Sequence, residues 1–94
     1  MLKDLIEAIE TIVGIKEQYH GYVTVYCEPK ETSVSLSNEL FGKLIDTYTI
    51  SQRDEVFWEK SATVNGIRFY ALYFIDELNE DDLTRIKEIK NEKV

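Results

Sequence analysis

The stretch from Val56 to Ile75, VFWEKSATVNGIRFYALYFI, carries the strongest structural signal in the chain. Two runs rich in aromatic and β-branched residues flank Asn65-Gly66. That dipeptide suits a two-residue hairpin turn, because both positions take positive φ. So short a loop sets the register. Val64 faces Ile67, Ala62 faces Phe69, Lys60 faces Ala71, Trp58 faces Tyr73 and Val56 faces Ile75. Directly paired residues share a face of the sheet, so these ten form one side, and Lys60 is its one charged member. The other side pairs Thr63 with Arg68, Ser61 with Tyr70, Glu59 with Leu72 and Phe57 with Phe74. The first side reads as the core face. The second leaves Phe57, Tyr70, Leu72 and Phe74 to be covered by neighbours or used by a partner.

Upstream, TISQRDE is polar and reads as an exposed connector. Before it, Ser37 or Asn38 caps a helix over ELFGKLIDTY, with Leu40, Phe41, Leu44 and Ile45 on its buried face. Gly42 weakens that helix by about 1 kcal/mol relative to alanine. Residues 21–28 alternate, with Val23, Val25 and Cys27 pointing one way and Tyr22, Thr24 and Tyr26 the other. Pro29 sits in the turn EPKE, and Thr32 to Leu36 pairs back as a hairpin. At the N-terminus, Leu2, Leu5, Ile6, Ile9, Ile12 and Val13 follow one helical face, which Gly14 is placed to stop.

Downstream lies DELNEDD, Asp76 to Asp82, with five carboxylates in seven residues. An EF-hand loop needs an oxygen ligand at its third position and glycine at its sixth. Here those positions hold Leu78 and Asp81, so the pattern fails. A helix start accounts for more of the stretch. With Asn79 as N-cap, Glu80, Asp81 and Asp82 occupy the first turn, where each acid favours the helix dipole by about 0.3–1 kcal/mol. Asp82, third in the helix, is placed to reach back to the cap. Leu83, Ile86 and Ile89 then form an apolar stripe, and Lys87, Lys90 and Lys93 lie toward the C-terminal end. Asp76 and Glu77 precede the cap and are left unexplained by it.

The elements predict an α+β fold in a single domain over residues 1–94. Their order is α-β-β-α-β-β-α, with a four-stranded, mainly antiparallel sheet and helices on one face. Composition narrows the function. A net charge of −7 disfavours direct contact with nucleic acid or anionic lipid and suits a basic protein partner. It also keeps a small protein soluble whatever its partners. No apolar run approaches the roughly 20 residues of a membrane span, and MLKDLIEAIE has no signal-peptide core. One cysteine, Cys27, forms no internal disulfide, which points to a reducing cytoplasm.

No catalytic motif is present, and no spacing calls for a cofactor or metal. Cys27 shares its strand face with Val23 and Val25 and reads as a buried structural thiol. His20, the only imidazole, reads as a loop residue at a strand entrance. A small enzyme or ligand carrier would therefore need a site near His20. The tyrosines Tyr19, Tyr22 and Tyr26 fit either packing beneath a helix or a protein interface, where tyrosine offers contact area with a polar tip.

From Ser35 to Phe74 the chain runs from a short strand through a compact helix and a polar connector into a hairpin. That hairpin reads W-E-x-x-x-x-V-N-G-I-x-F-Y-A-L-Y, from Trp58 and Glu59 through Asn65-Gly66 to Tyr73. The segment resembles small acidic phage-borne proteins, among them anti-CRISPR inhibitors. The resemblance implies a non-catalytic protein acting in the host cytoplasm, covering the nucleic-acid-binding surface of a defence nuclease such as a CRISPR effector. It assigns no individual residue. The candidate partner surface comprises Asp76, Glu77, Glu80, Asp81 and Asp82, with Tyr22, Tyr26 and Tyr70 as apolar anchors. The competing reading is a structural or regulatory module that is a homodimer through its outer sheet face or its second helix.

Overall fold

The computed structural model describes residues 1–92. Its elements are α1 (Leu2–Tyr19), β1 (Val23–Cys27), β2 (Thr32–Leu36), α2 (Asn38–Leu44), β3 (Thr49–Gln52), β4 (Phe57–Val64), β5 (Ile67–Phe74), a 3₁₀ turn (Ile75–Glu77) and α3 (Glu80–Glu92). Lys93, expected near the end of the last helix, lies outside the described residues.

The β4–β5 hairpin forms with the register that its turn dictates, from Val64 opposite Ile67 to Phe57 opposite Phe74. Asn65 and Gly66 take φ of 52° and 77°, as this turn requires. Val56 and Ile75 lie just beyond the last pair and are exposed.

The class is α+β as expected, but the sheet is larger and mixed. Five strands run in the order β1-β2-β5-β4-β3, and β2 pairs with β5 in parallel. The other three pairings are antiparallel. The additional strand is β3, carved from the polar connector. Only Ile50 of its four residues is buried, opposite Lys60 on the core face. An edge strand with one face in water needs one apolar residue on the other, so its composition resembles a loop. The turn that follows is held by Asp54, whose carboxylate accepts from the backbone N–H groups of Val56 and Phe57.

The core lies between one sheet face and helices α2 and α3. Leu40 and Phe41 of α2 and Ile86 of α3 pack with Val34, Leu36, Ile50, Trp58, Ala71 and Tyr73. Helix α2 ends at Leu44, earlier than its pattern suggested. Leu44 is exposed and Ile45, already extended at φ −119°, is half-buried. The core also stops short of the β1 edge. Cys27 shares a side with Val25 but is exposed, so the buried-thiol reading is corrected. Val25 and Tyr26 beside it are exposed as well.

Helix α1 runs through Gly14 to Tyr19 and ends on His20, which adopts the left-handed conformation and donates its N–H to Lys16 O. Mid-helix glycine costs about 1 kcal/mol, too little to stop a helix whose pattern continues through Ile15 and Tyr19. Those two residues pack on the core, whereas Leu2, Leu5, Ile6, Ile9 and Val13 remain exposed.

One close approach shapes the junction between α1, β1 and α2. A Cβ on Gly21 would lie 2.2 Å from Ser37 Oγ and 3.2 Å from Leu40 Cβ. Ser37 Oγ is itself buried without a hydrogen-bond partner among the described residues. Gly21→Ala should therefore lower unfolding stability by about 1–3 kcal/mol through overpacking. Ser37→Ala, which removes an unsatisfied buried oxygen, should be neutral or stabilising and should relieve part of the Gly21→Ala loss. Urea denaturation midpoints of the two single variants and the double variant check this.

Candidate functional site

The five acids of DELNEDD separate into different roles. Asp82 is fully buried, its Oδ2 lies 2.7 Å from Lys60 Nζ, and Tyr48 donates its hydroxyl to Oδ1. It also completes a reciprocal cap. The Asp82 N–H donates to Asn79 Oδ1 at 2.8 Å, and Asn79 N–H donates to Asp82 Oδ2 at 3.2 Å. The capping box expected at this helix start is therefore present. The proposed surface role for Asp82 is corrected: its carboxylate faces inward and is unavailable to a partner or a metal.

The one charge on the core face of the hairpin thereby finds its counter-ion. Lys60 Nζ also sits 4.4 Å from the centroid of Tyr73 and 4.7 Å from that of Tyr48, at cation–π distance. Burial works to raise the Asp82 pKa. The hydrogen bonds from Lys60, Tyr48 and Asn79 and the Lys60 charge outweigh it and hold the carboxyl below its usual value near 3.8. Tyr73 is pushed up to about 12, first by burial and then by Tyr48, Asp82 and Glu77, so at neutral pH it remains a donor to Asn38 O.

Glu77 is exposed but committed. It accepts from Asn38 Nδ2 at 2.9 Å and from Phe74 N–H at 2.8 Å, tying the 3₁₀ turn to the start of α2. Asp76, Glu80 and Asp81 are exposed.

The three candidate tyrosines share one side of the sheet. Through the ladders, Tyr26 lies in line with Ser33 and Arg68, and Thr24 with Ser35 and Tyr70, while Ser37 N–H donates to Tyr22 O. This is the side away from the core, and Tyr22 and Tyr26 are exposed on it. Tyr70 is half-buried. The guanidinium of Arg68 lies 4.7 Å from its ring centroid and that of Arg53 lies 5.9 Å away. Both arginines pair with the buried carboxylate of Glu59, Arg53 at 2.8 Å. Tyr70 thus supports an internal ion cluster rather than standing free as an anchor. The β4–β5 hairpin and the turn before it bring these four residues together.

At the other end of this face is an open recess of about 470 Å³. Tyr22, Phe57, Leu72 and Phe74 line it, with His20, Ser37, Asn38, Glu39 and Glu77. Phe57 and Phe74 stack with centroids 4.7 Å apart. The lining carries two carboxylates and neither lysine nor arginine. His20 enters as the cap of α1. Cys27 lies at the opposite end of β1, which at roughly 3.3 Å per residue puts it more than 10 Å away. No Cys–His pair is assembled. Glu39 was not singled out by the sequence; its place at the start of α2, beside a strand pair it does not touch in sequence, is a tertiary outcome.

Among the described residues, no three His, Cys, Asp or Glu side chains are grouped to hold a metal ion, and no helix is long and apolar enough to cross a membrane. No protein-family model, curated protein or solved structure matches the chain.

Breaking the Lys60–Asp82 pair strands the other charge in the core. Asp82→Asn and Lys60→Met should each cost about 3–5 kcal/mol, and replacing both by apolar residues should recover most of that loss apart from the cap. The pH dependence follows from the lowered folded-state pKa. The Asp82 contribution is fully present above the unfolded-state value and is lost as pH falls through the folded one. Urea midpoints should hold down to about pH 5 and drop below about pH 4, and Asp82→Asn should flatten that drop.

Proposed function

We propose that this protein is a non-catalytic interaction module that engages a basic surface of another protein. The observation that carries this reading is the composition of the recess. Aromatic walls from Tyr22, Phe57 and Phe74, with Glu39 and Glu77 and no lysine or arginine, suit an inserted arginine or lysine side chain. Asp76, Glu80 and Asp81 extend the negative charge along the chain that leaves β5. A net charge of −7 favours encounter with a basic partner and repels competing nucleic acid.

The finer form of the proposal takes the partner to be a nucleic-acid-binding enzyme. Carboxylates projecting from a sheet end and a helix start stand in for phosphates and cover the groove that would hold the nucleic acid. This form rests on charge and on the resemblance of Ser35 to Phe74 to phage-borne inhibitors, with a defence nuclease such as a CRISPR effector as the target. Its working surface is Asp76, Glu80, Asp81 and Glu39 around the Tyr22 recess. Glu77 shapes that surface from within, and Asp82 is excluded from it.

Competition provides the test. The chain should displace duplex nucleic acid from a susceptible effector and lose affinity as salt rises. Neutralising Glu39, Asp76, Glu80 and Asp81 together (Glu to Gln, Asp to Asn) should weaken binding about tenfold at low salt and flatten the salt dependence. All four are exposed, but Glu39, Glu80 and Asp81 lie in first helical turns, so the melting temperature should fall by several degrees while the fold persists. Unchanged affinity and salt slope in that variant would defeat the proposal.

A further inference from the structure

Helix α1 carries two apolar rows on different sides. Ile12, Ile15 and Tyr19 are its half-buried residues, and Ile15 and Tyr19 touch the core. Leu2, Ile6, Ile9 and Val13 form a second row, rotated by roughly a third of a turn at 3.6 residues per turn. They are 70%, 46%, 51% and 45% exposed, and Leu5 beside them is 58% exposed. No described residue elsewhere in the chain covers this row. It is therefore not a continuation of the stripe that docks α1 on the sheet domain.

We infer that the second row is a dimerisation seam, occupied by α1 of a second copy of this chain in antiparallel orientation. Three features select this occupant. The first is symmetry. The steps from Leu2 to Ile6 to Ile9 to Val13 are four, three and four residues, so the row reads the same in both directions. A two-fold axis between Ile6 and Ile9 sets Leu2 against Val13 of the second copy and Ile6 against Ile9, as an isologous contact requires.

The second is charge. In an antiparallel pair each flank meets its own counterpart. Lys3 and Glu10 share one flank, so Lys3 comes within about two residues, some 3 Å along the axis, of Glu10 in the second copy. This happens twice by symmetry. The opposite flank sets Leu5 near Ala8 and Ile12 of the second copy. A parallel pair would instead set Lys3 and Glu10 against the apolar flank. The polar side of α1 holds Asp4, Glu7 and Thr11, whereas a helix that lies on a membrane surface is rich in lysine and arginine there.

The third is area. The five exposed side chains leave on the order of 500 Å² of apolar surface in water, near the upper limit for a monomer's largest patch. Pairing two copies removes up to about 1,000 Å², the lower threshold for a specific interface and the size of a weak, concentration-dependent one. Docking at Ile15 and Tyr19 leaves the first three turns of α1 standing clear of the sheet domain. Antiparallel pairing then carries the two sheet domains at opposite ends, with both recesses open. The seam is separate from the partner surface proposed above, so either reading can fail alone.

Light scattering over the micromolar range tests the seam. The wild-type chain should move from monomer to dimer with concentration. Ile9→Asp, at a position without core contacts, should keep the monomer's melting temperature and raise the dimer dissociation constant about 100-fold or more. Lys3→Glu and Glu10→Lys should each weaken the dimer, and the double charge swap should restore it. Orientation is read separately in a Cys27→Ser background. Chains carrying Leu2→Cys should cross-link to chains carrying Val13→Cys, whereas self-linked Val13→Cys chains, whose positions lie about 16 Å apart along the axis in the antiparallel pair, would overturn that arrangement. A wild-type monomer throughout the range, a dimer untouched by Ile9→Asp, or a monomer that binds lipid vesicles through this row would overturn the inference.

Discussion

Lys60 and Asp82 join the hairpin to the last helix by a buried ion pair, and much of the fold meets at it. A charge on the core face of a sheet is tolerable only if its counter-ion and hydrogen bonds arrive with it. Asp82 comes from the first turn of α3, fixed there by its reciprocal cap with Asn79. Tyr48, just before β3, closes the same carboxylate, and Tyr73 of β5 covers the ammonium. The pair thus determines where α3 docks and how the edge strand β3 begins. Buried ion pairs in general add no more net energy than apolar contacts of similar size.

The two faces of the sheet handle charge differently, and this is what leaves one of them free. On the core face Lys60 is matched and sealed. On the other, Glu59 is matched by Arg53 and Arg68, which fold over Tyr70 and fill the middle of an otherwise open surface. Arg53 and Arg68 are drawn to Glu59, and the nearby recess is lined by aromatic rings and carboxylates with neither lysine nor arginine. The cluster sets two arginines against one carboxylate, so the negative field of the chain comes from its other acids, at a net charge of −7.

The candidate site was legible only in part, for identifiable reasons. Asp76, Glu80 and Asp81 were visible as a cluster and are exposed. Asp82 belongs to the same cluster by sequence, but helical geometry turns the third residue of the first turn inward, toward Lys60. Tyr22 and Tyr26 were correctly assigned to one strand face. Glu39 and Phe57 join Tyr22 only because β2 pairs with β5 in parallel, a contact between segments more than thirty residues apart. No local pattern encodes such a contact.

What the sequence determined by itself was local: the hairpin and its register through Asn65-Gly66, the capped start of α3, and the alternation in β1. Each follows from interactions between residues a few positions apart, where backbone geometry leaves few alternatives. Tertiary structure decided the rest. It made a strand of Thr49–Gln52, because an edge position asks for a single buried residue and Ile50 supplies it. It left Cys27 in water, at the end of β1 where Val25 and Tyr26 are exposed as well. It divided the apolar residues of α1 between the core and solvent, because a helix of eighteen residues outruns the sheet domain that anchors its last turns.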